Sequence, residues 1–192
     1  MSTSSKSPQL IGIAGSFASG KDTIAHRLVE DFGFTHVSTG DMVREIALRE
    51  RDSIERPVLH EVADQHRKRD GAGVFVRHAL QKPHPLVITG IRSLGEAKEL
   101  KNHGGVLLFV DAPSEVRYER MRSRNRDAEV GLTLEQFQAN EAQEWHQGET
   151  DADFNLRDIK AMADVTIDNT LPVDQFVAIV YAALGLKQAG DS

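Results

Sequence analysis

The feature that most constrains this chain is the run from Leu10 to Lys21, an apolar stretch that enters a loop bounded by Gly15 and Gly20 and closes on a lysine. Leu10-Ile11-Gly12-Ile13-Ala14 carries no polar side chain, which predicts a central strand buried on both faces of a parallel sheet. After the loop, Ile24, Ala25, Leu28, Val29 and Phe32 recur at three- and four-residue spacing, so a helix over 21–32 is expected, ended by Gly33. Strand, G-x-x-x-x-G-K loop and helix in that order form the setting in which a loop wraps a polyphosphate. Backbone N–H groups turn inward, the helix N-terminus adds partial positive charge, and the lysine bridges the outer phosphates. The residues expected around ATP are Gly15, Ser16, Phe17, Ala18, Ser19, Gly20, Lys21, Asp22 and Thr23. The position after the lysine usually holds a Ser or Thr for Mg²⁺, and here it is Asp22.

The rest of the chain alternates between the two periodicities. A short strand is expected at 35–37, helices at 41–51, 58–69 and 74–80 divided by Pro57 and Gly71-Ala72-Gly73, and buried strands at 85–89 and 106–110. A helix at 94–102 lies between those two strands, a long acidic helix follows at 133–146, and a strand at 165–168 and an amphipathic helix at 174–184 close the chain. Such alternation implies an α/β fold with a mostly parallel sheet and right-handed crossovers, in which the helices between 38 and 82 form a side lobe. Ligands of such sheets bind beyond the carboxyl ends of the strands. At 192 residues one domain over 10–188 suffices, preceded by a polar, Ser-rich tail at 1–9 that is expected to be disordered.

A net charge of −6 argues against a general nucleic-acid coat or a membrane-surface protein, since both need a basic field, and any anion site must therefore be local. The chain has no cysteine, which removes disulfides and thiolate metal sites and fits a cytoplasmic setting. No stretch resembles a signal peptide or a membrane span. Monomer and homodimer both remain open.

Gly20-Lys21-Asp22-Thr23 is similar to the Gly-Lys-Gly-Thr of adenylate kinases, and Ser38-Thr39-Gly40-Asp41-Met42-Val43-Arg44 resembles their AMP-site segment. Thr89-Gly90-Ile91-Arg92 is similar to the segment that supplies a second monophosphate-binding arginine. Val110-Asp111-Ala112-Pro113-Ser114-Glu115, continuing through Arg120 and Arg124, resembles the approach to the lid. The likeness spans 10 to about 126 and is greatest to the archaeal adenylate-kinase-like P-loop proteins, through Ile91-Arg92-Ser93 and Glu96. It implies a P-loop NTPase of three α/β/α layers with a five-stranded parallel sheet, a helical acceptor lobe near 38–82 and a lid near 121–160: a nucleoside monophosphate kinase that moves the γ-phosphate of ATP, with Mg²⁺, onto a nucleoside or deoxynucleoside monophosphate. On that reading Thr39, Gly40, Asp41, Arg44 and Arg92 bind the acceptor, and Lys21, Arg92, Arg120, Arg124 and Asp41 take part in catalysis. Dephospho-CoA kinase is the alternative within the fold, with Asp41 as the base for a ribose hydroxyl. A nucleotide-binding ATPase or regulator without small-molecule kinase activity is the alternative from another class.

Phosphoryl transfer needs two polyanions held in line, so arginines must approach from the acceptor side and from above the transferred group. Arg44 and Arg92 suit the first task. Arg117, Arg120, Arg122, Arg124 and Arg126 crowd one stretch, and Arg120 and Arg124 share a helix face. The competing reading pairs these arginines with Glu115 and Glu119, makes Asp41 a helix cap and leaves Thr39 a turn residue. The family's strand before the glycine ends in an aspartate, where this chain has Thr89. Asp22 or Asp41 then compensates at the metal, or the nucleotide holds Mg²⁺ itself. Arg157 is the one loose candidate for a further lid arginine. The histidines, His26, His36, His60, His66 and His146 among them, show no metal-ligand spacing, and Trp145 is expected in core or lid packing.

Overall fold

Strand β1 (Leu10–Gly15) is buried along its whole length. A computed structural model, which describes residues 7–123 and 131–188, sets it in the middle of a five-stranded sheet. Its neighbours are β3 (Leu86–Ile91) and β4 (Val106–Asp111), with β2 (Thr35–Ser38) and β5 (Val165–Asp168) outside them, every pair parallel. The period of two in β1 splits its side chains between two cores. Ile11 and Ile13 meet Ile24 and Leu28 of α1 (Lys21–Phe32) and Phe176 and Val180 of α9 (Val173–Ala183). Leu10 and Ala14 face Leu100 of α5 (Leu94–Asn102), Val76 of α4 (Val74–Ala79) and Ile159 of α8 (Leu156–Met162). Both faces of the sheet are thus covered, which is why its inner strands read as unbroken apolar runs.

The helical lobe comprises α2 (Thr39–Arg51), α3 (Arg56–Asp70) and α4, with its own core of Val43, Ala47, Val62 and Phe75. Pro57 does not divide helices as expected but sits in the first turn of α3, where a missing N–H costs no intrahelical bond. Ser38, not Asp41, caps α2: its Oγ accepts the Asp41 N–H at 3.1 Å, because β2 runs directly into the helix and leaves Asp41 inside the first turn. Thr39 is the first helical residue and not part of a turn.

Helix α6 (Ser114–Ser123) follows β4, and α7 (Leu134–Trp145) begins with a capping box between Thr133 and Gln136. Phe137 of α7 packs with Met121 and Ala18, so this helix rests directly on the loop after β1. The sheet's other edge, where β3 and β4 begin, carries the segment before Leu86 and the turn at 103–105, with open space around Gly104. Residues 1–6 of the expected tail, and Arg124 and Arg126 of the expected lid, lie outside the described residues. Among the described residues no helix is long and apolar enough to cross a membrane.

Candidate active site

The loop 15–20 is pinned from two sides. Gly20 has φ 102°, and a Cβ there would run into Nδ2 of Asn169, which donates to the Ser19 carbonyl at 2.7 Å. The Asn169 N–H in turn donates to the Asp111 carbonyl at 2.7 Å. Ser16 Oγ donates to Asp111 Oδ1 at 2.8 Å, and Lys160 Nζ reaches Oδ2 at 3.0 Å. Burial alone would raise the Asp111 carboxyl, yet Lys160, Ser16 and the Ala112 N–H hold it below the ordinary range. Lys21 Nζ turns back onto the carbonyls of Gly15 at 2.9 Å and Ser16 at 2.5 Å. Its pKa falls to about 8, through burial first and then the charge of Arg92, with Asp22 and Glu144 opposing.

Arg92 follows a kink in β3. Ile13 pairs with Thr89 and Ala14 with Ile91, so Gly90 bulges out at φ 85°. Thr39 Oγ1 donates to the Gly90 carbonyl at 2.8 Å, an approach that a Cβ on Gly90 would obstruct, and the start of α2 is thereby fixed beside the strand end. Beyond the bulge, the Arg92 N–H donates to Glu96 Oε2 at 2.9 Å, while its Nη1 donates to Glu144 Oε1 at 2.9 Å. Arg56 Nη2 donates to that same oxygen at 2.5 Å, and His60 Nε2 stands 3.6 Å from it. Glu144 is only 3% exposed. Burial would raise its pKa, but Arg92, His60 and Arg56 together hold it far below the usual carboxylate range. The Phe154 ring backs this group, with the guanidinium of Arg92 at 5.9 Å and the His60 ring at 4.8 Å.

Lys21 and Arg92 are thus brought together, and Asn169 joins Arg120 to the same loop, since Arg120 Nη2 donates to the Asn169 carbonyl at 2.8 Å. Arg117 is buried and donates to the carbonyls of Ala112 at 2.6 Å and Phe17 at 3.2 Å and to Glu141, so it braces the loop instead of pairing with Glu115 or Glu119. Arg122 does pair with Glu119, at 3.5 Å. Arg44 and Asp41 bind each other at 2.5 Å near the surface; among the described residues neither forms a hydrogen bond or ion pair with Lys21 or Arg92. Gly40 precedes them in the first turn of α2, against Gly90. Arg157 pairs with its neighbour Asp158 at 2.7 Å. Trp145, in α7, is 37% exposed with its ring 5.8 Å from Lys160 Nζ, and is therefore not part of the core.

For a divalent cation the available donors are oxygens. Asp22, exposed beside Lys21, makes no hydrogen bond or ion pair among the described residues, and its charge reaches His36. His36 Nε2 is 2.9 Å from Thr89 Oγ1, with its pKa lowered by burial. Among the described residues no three His, Asp or Glu side chains form a cage. A carboxylate and a hydroxyl, with the remaining positions left to water and phosphate, fit Mg²⁺ as that ion is usually held.

Six residues of the site went unassigned in the sequence: Arg56, His60, Asp111, Glu144, Lys160 and Asn169. The one signal for Glu144 was the acidity of a lid helix where arginines were expected.

A family model described as an AAA domain matches residues 11–146. No curated protein matches the chain. Among solved structures, a shikimate kinase from Bacteroides thetaiotaomicron is similar at 12% identity and TM-score 0.64, over 93% of this chain and 99% of its own. A shikimate kinase from Acinetobacter baumannii in complex with shikimate is similar at 18% and 0.57, over 93% and 94%. A gluconokinase from Sinorhizobium meliloti 1021 is similar at 17% and 0.53, over 94% and 93%. What is shared at such identities is the fold, that of the P-loop kinases. The narrower likeness to adenylate kinases rests on the local motifs at 20–23, 38–44 and 89–92.

Proposed function

We propose, because this chain belongs to the AAA domain family and carries the P-loop kinase fold, that it is an ATP-dependent phosphotransferase acting on a small anionic acceptor, with a nucleoside monophosphate as the acceptor class. The observation that carries the reading is the nearness of Arg92, held at the end of β3, to Lys21 of the phosphate loop, close enough for its charge to depress the lysine's pKa. A lone nucleotide-binding loop needs no second arginine there; transfer between two anions does.

In the proposed reaction Lys21 leaves the Gly15 and Ser16 carbonyls for the outer phosphates of ATP, which the amides of 15–20 surround. Asp22 and Thr89 would hold Mg²⁺, directly or through water, and the ion when bound neutralises charge on the phosphate oxygens. Arg92 and Arg56 take the acceptor's anion, Thr39, Gly40, Asp41 and Arg44 line its lobe, and Arg120 approaches the nucleotide from α6. An acceptor oxygen attacks the γ-phosphorus, the bond to the bridging oxygen breaks, and ADP departs with that electron pair. Helix α7 over the loop excludes water, which suppresses hydrolysis of ATP.

A second reading, a hydroxy acid as acceptor, is supported by the size of the Arg56–Arg92–His60 group, which fits one carboxylate. The solved shikimate kinase with shikimate and the gluconokinase share this fold. A dephospho-CoA kinase would need a base, and the Asp41 carboxylate is already engaged by Arg44. The test is ADP release over a panel of nucleoside monophosphates, dephospho-CoA, shikimate and gluconate. Acceptor-dependent turnover with a monophosphate is the expected result. Tight ATP binding with no acceptor in the panel would favour a regulator and overturn the kinase reading.

A further inference from the structure

The Arg56–Glu144–Arg92 group invites comparison with the other buried carboxylate of the site. Glu96 is 0% exposed and uses both oxygens: Oε1 takes Nε and Nη2 of Arg67, and Oε2 takes the N–H groups of Arg92 and Ser93. That is how a carboxylate is built permanently into a fold, with its lone pairs shared among fixed donors. Glu144 is arranged differently. Arg56 and Arg92 both donate to Oε1, with His60 Nε2 3.6 Å from it and not hydrogen-bonded, and Oε2 accepts no hydrogen bond among the described residues. Arg56 and His60 come from α3 and Arg92 from the end of β3, while Glu144 alone comes from α7. It occupies the last turn of that helix, next to half-exposed Trp145 and an extended His146, whereas the other end of α7 is anchored through Phe137. One oxyanion is thus supplied from α7 to two arginines, one from the body and one from the lobe, beside His60.

We propose that Glu144 is a built-in occupant of the acceptor's anion site, a carboxylate of the chain itself that the acceptor's own oxyanion displaces. The inference rests on the acceptor site proposed above. In the resting protein Glu144 neutralises Arg56 and Arg92, two partly exposed guanidinium groups of like charge that converge on one point. An oxyanion on the acceptor replaces Oε1 on the same donors, and the final turn of α7 gives way. A polyphosphate at Lys21 favours that exchange, because Glu144 stands near enough to Lys21 for the two charges to interact, and the incoming phosphates repel the carboxylate. Acceptors without an anionic group have no means to drive the displacement, so Glu144 also acts as a filter on the substrate.

The experiment measures binding of inorganic phosphate and of acetate, by calorimetry, to the protein carrying Lys21→Ala, which silences the phosphate loop. Adding Glu144→Gln keeps the shape and removes the charge. If the site is self-occupied nine-tenths of the time, at least one of the two probes gains about tenfold in affinity. That gain disappears when Arg92→Ala is added. Phosphate alone gaining points to a phosphate-bearing acceptor, and acetate alone to a carboxylic acid; both support the proposal. No gain in folded Glu144→Gln protein, or a gain that survives Arg92→Ala, overturns it. Glu144→Ala is the second variant, and if both variants fail to fold, Glu144 is a structural ion and the proposal is wrong. ATP binding and turnover by the wild type are measured separately, so a failed kinase reading leaves the anion result intact, and the reverse holds too.

Discussion

Arg67 directs both its Nε–H and its Nη2–H at a single oxygen of Glu96, at 3.1 and 2.9 Å, in the interior between the lobe and the sheet. The other Glu96 oxygen holds the backbone of Arg92, so a pair with no route to solvent sets the position of the arginine proposed to meet the acceptor.

Glu96→Ala leaves the Arg67 guanidinium buried without its partner, which typically costs about 3–5 kcal/mol. Urea unfolding is expected to show a loss of that order. Any folded fraction should use the acceptor poorly, with a raised acceptor KM and an unchanged ATP KM.

Lys21 has a pKa near 8 in the free protein, below its ordinary 10.5, and a polyphosphate that favours the ammonium form moves it back up. At pH 7 the lysine already carries its proton, and ATP binding takes up none at this site. Between pH 8 and the higher pKa of the complex, binding draws in a proton and affinity falls as pH rises. Calorimetry in two buffers of different ionisation heat checks the uptake, which Lys21→Ala should abolish together with turnover.

Gly20→Ala forces a side chain onto a left-handed backbone and into Asn169. Strain of that kind costs about 1–3 kcal/mol. A lower melting temperature and loss of ATP binding are expected. Asn169→Ala, which removes the collision but also the bond to Ser19, should restore the melting temperature of the double variant more than its affinity for ATP.

Tyr181 donates to Asp31 at 2.7 Å, tying α9 to α1 on the face of the sheet away from the lobe. Tyr181→Phe removes one charge-assisted hydrogen bond and should destabilise by about 1–2 kcal/mol in thermal unfolding. ATP affinity and turnover should not change, which separates stability from chemistry in this set.

The fold was legible because its signals are local. The bounds of α1 come from apolar spacing and Gly33, and β1 is a charge-free run that both cores require. The phosphate loop announces itself within seven residues. The partners that shape the site are not local. Ser19 and Asn169 are 150 residues apart, and Arg92 and Glu144 are 52 apart, in segments whose meeting is decided by the order of the strands and the seating of α7. Arg44 and Arg56 look alike in sequence as basic residues near helix starts. Only the packing of the lobe turns Arg56 toward Glu144 and leaves Arg44 bound to Asp41. The same holds for Arg117, whose partner Glu141 lies on a helix that folds back over α6.

The phosphate loop, Arg92 and Asp111 all lie where the strands end, and the turn at 103–105 sits where β4 begins. The chain carries no cysteine, so Asn102→Cys, at the exposed end of α5 just before that turn, would create a unique thiol. A dye attached there, or a linker to a solid support, would leave the nucleotide and acceptor mouths facing outward and unobstructed.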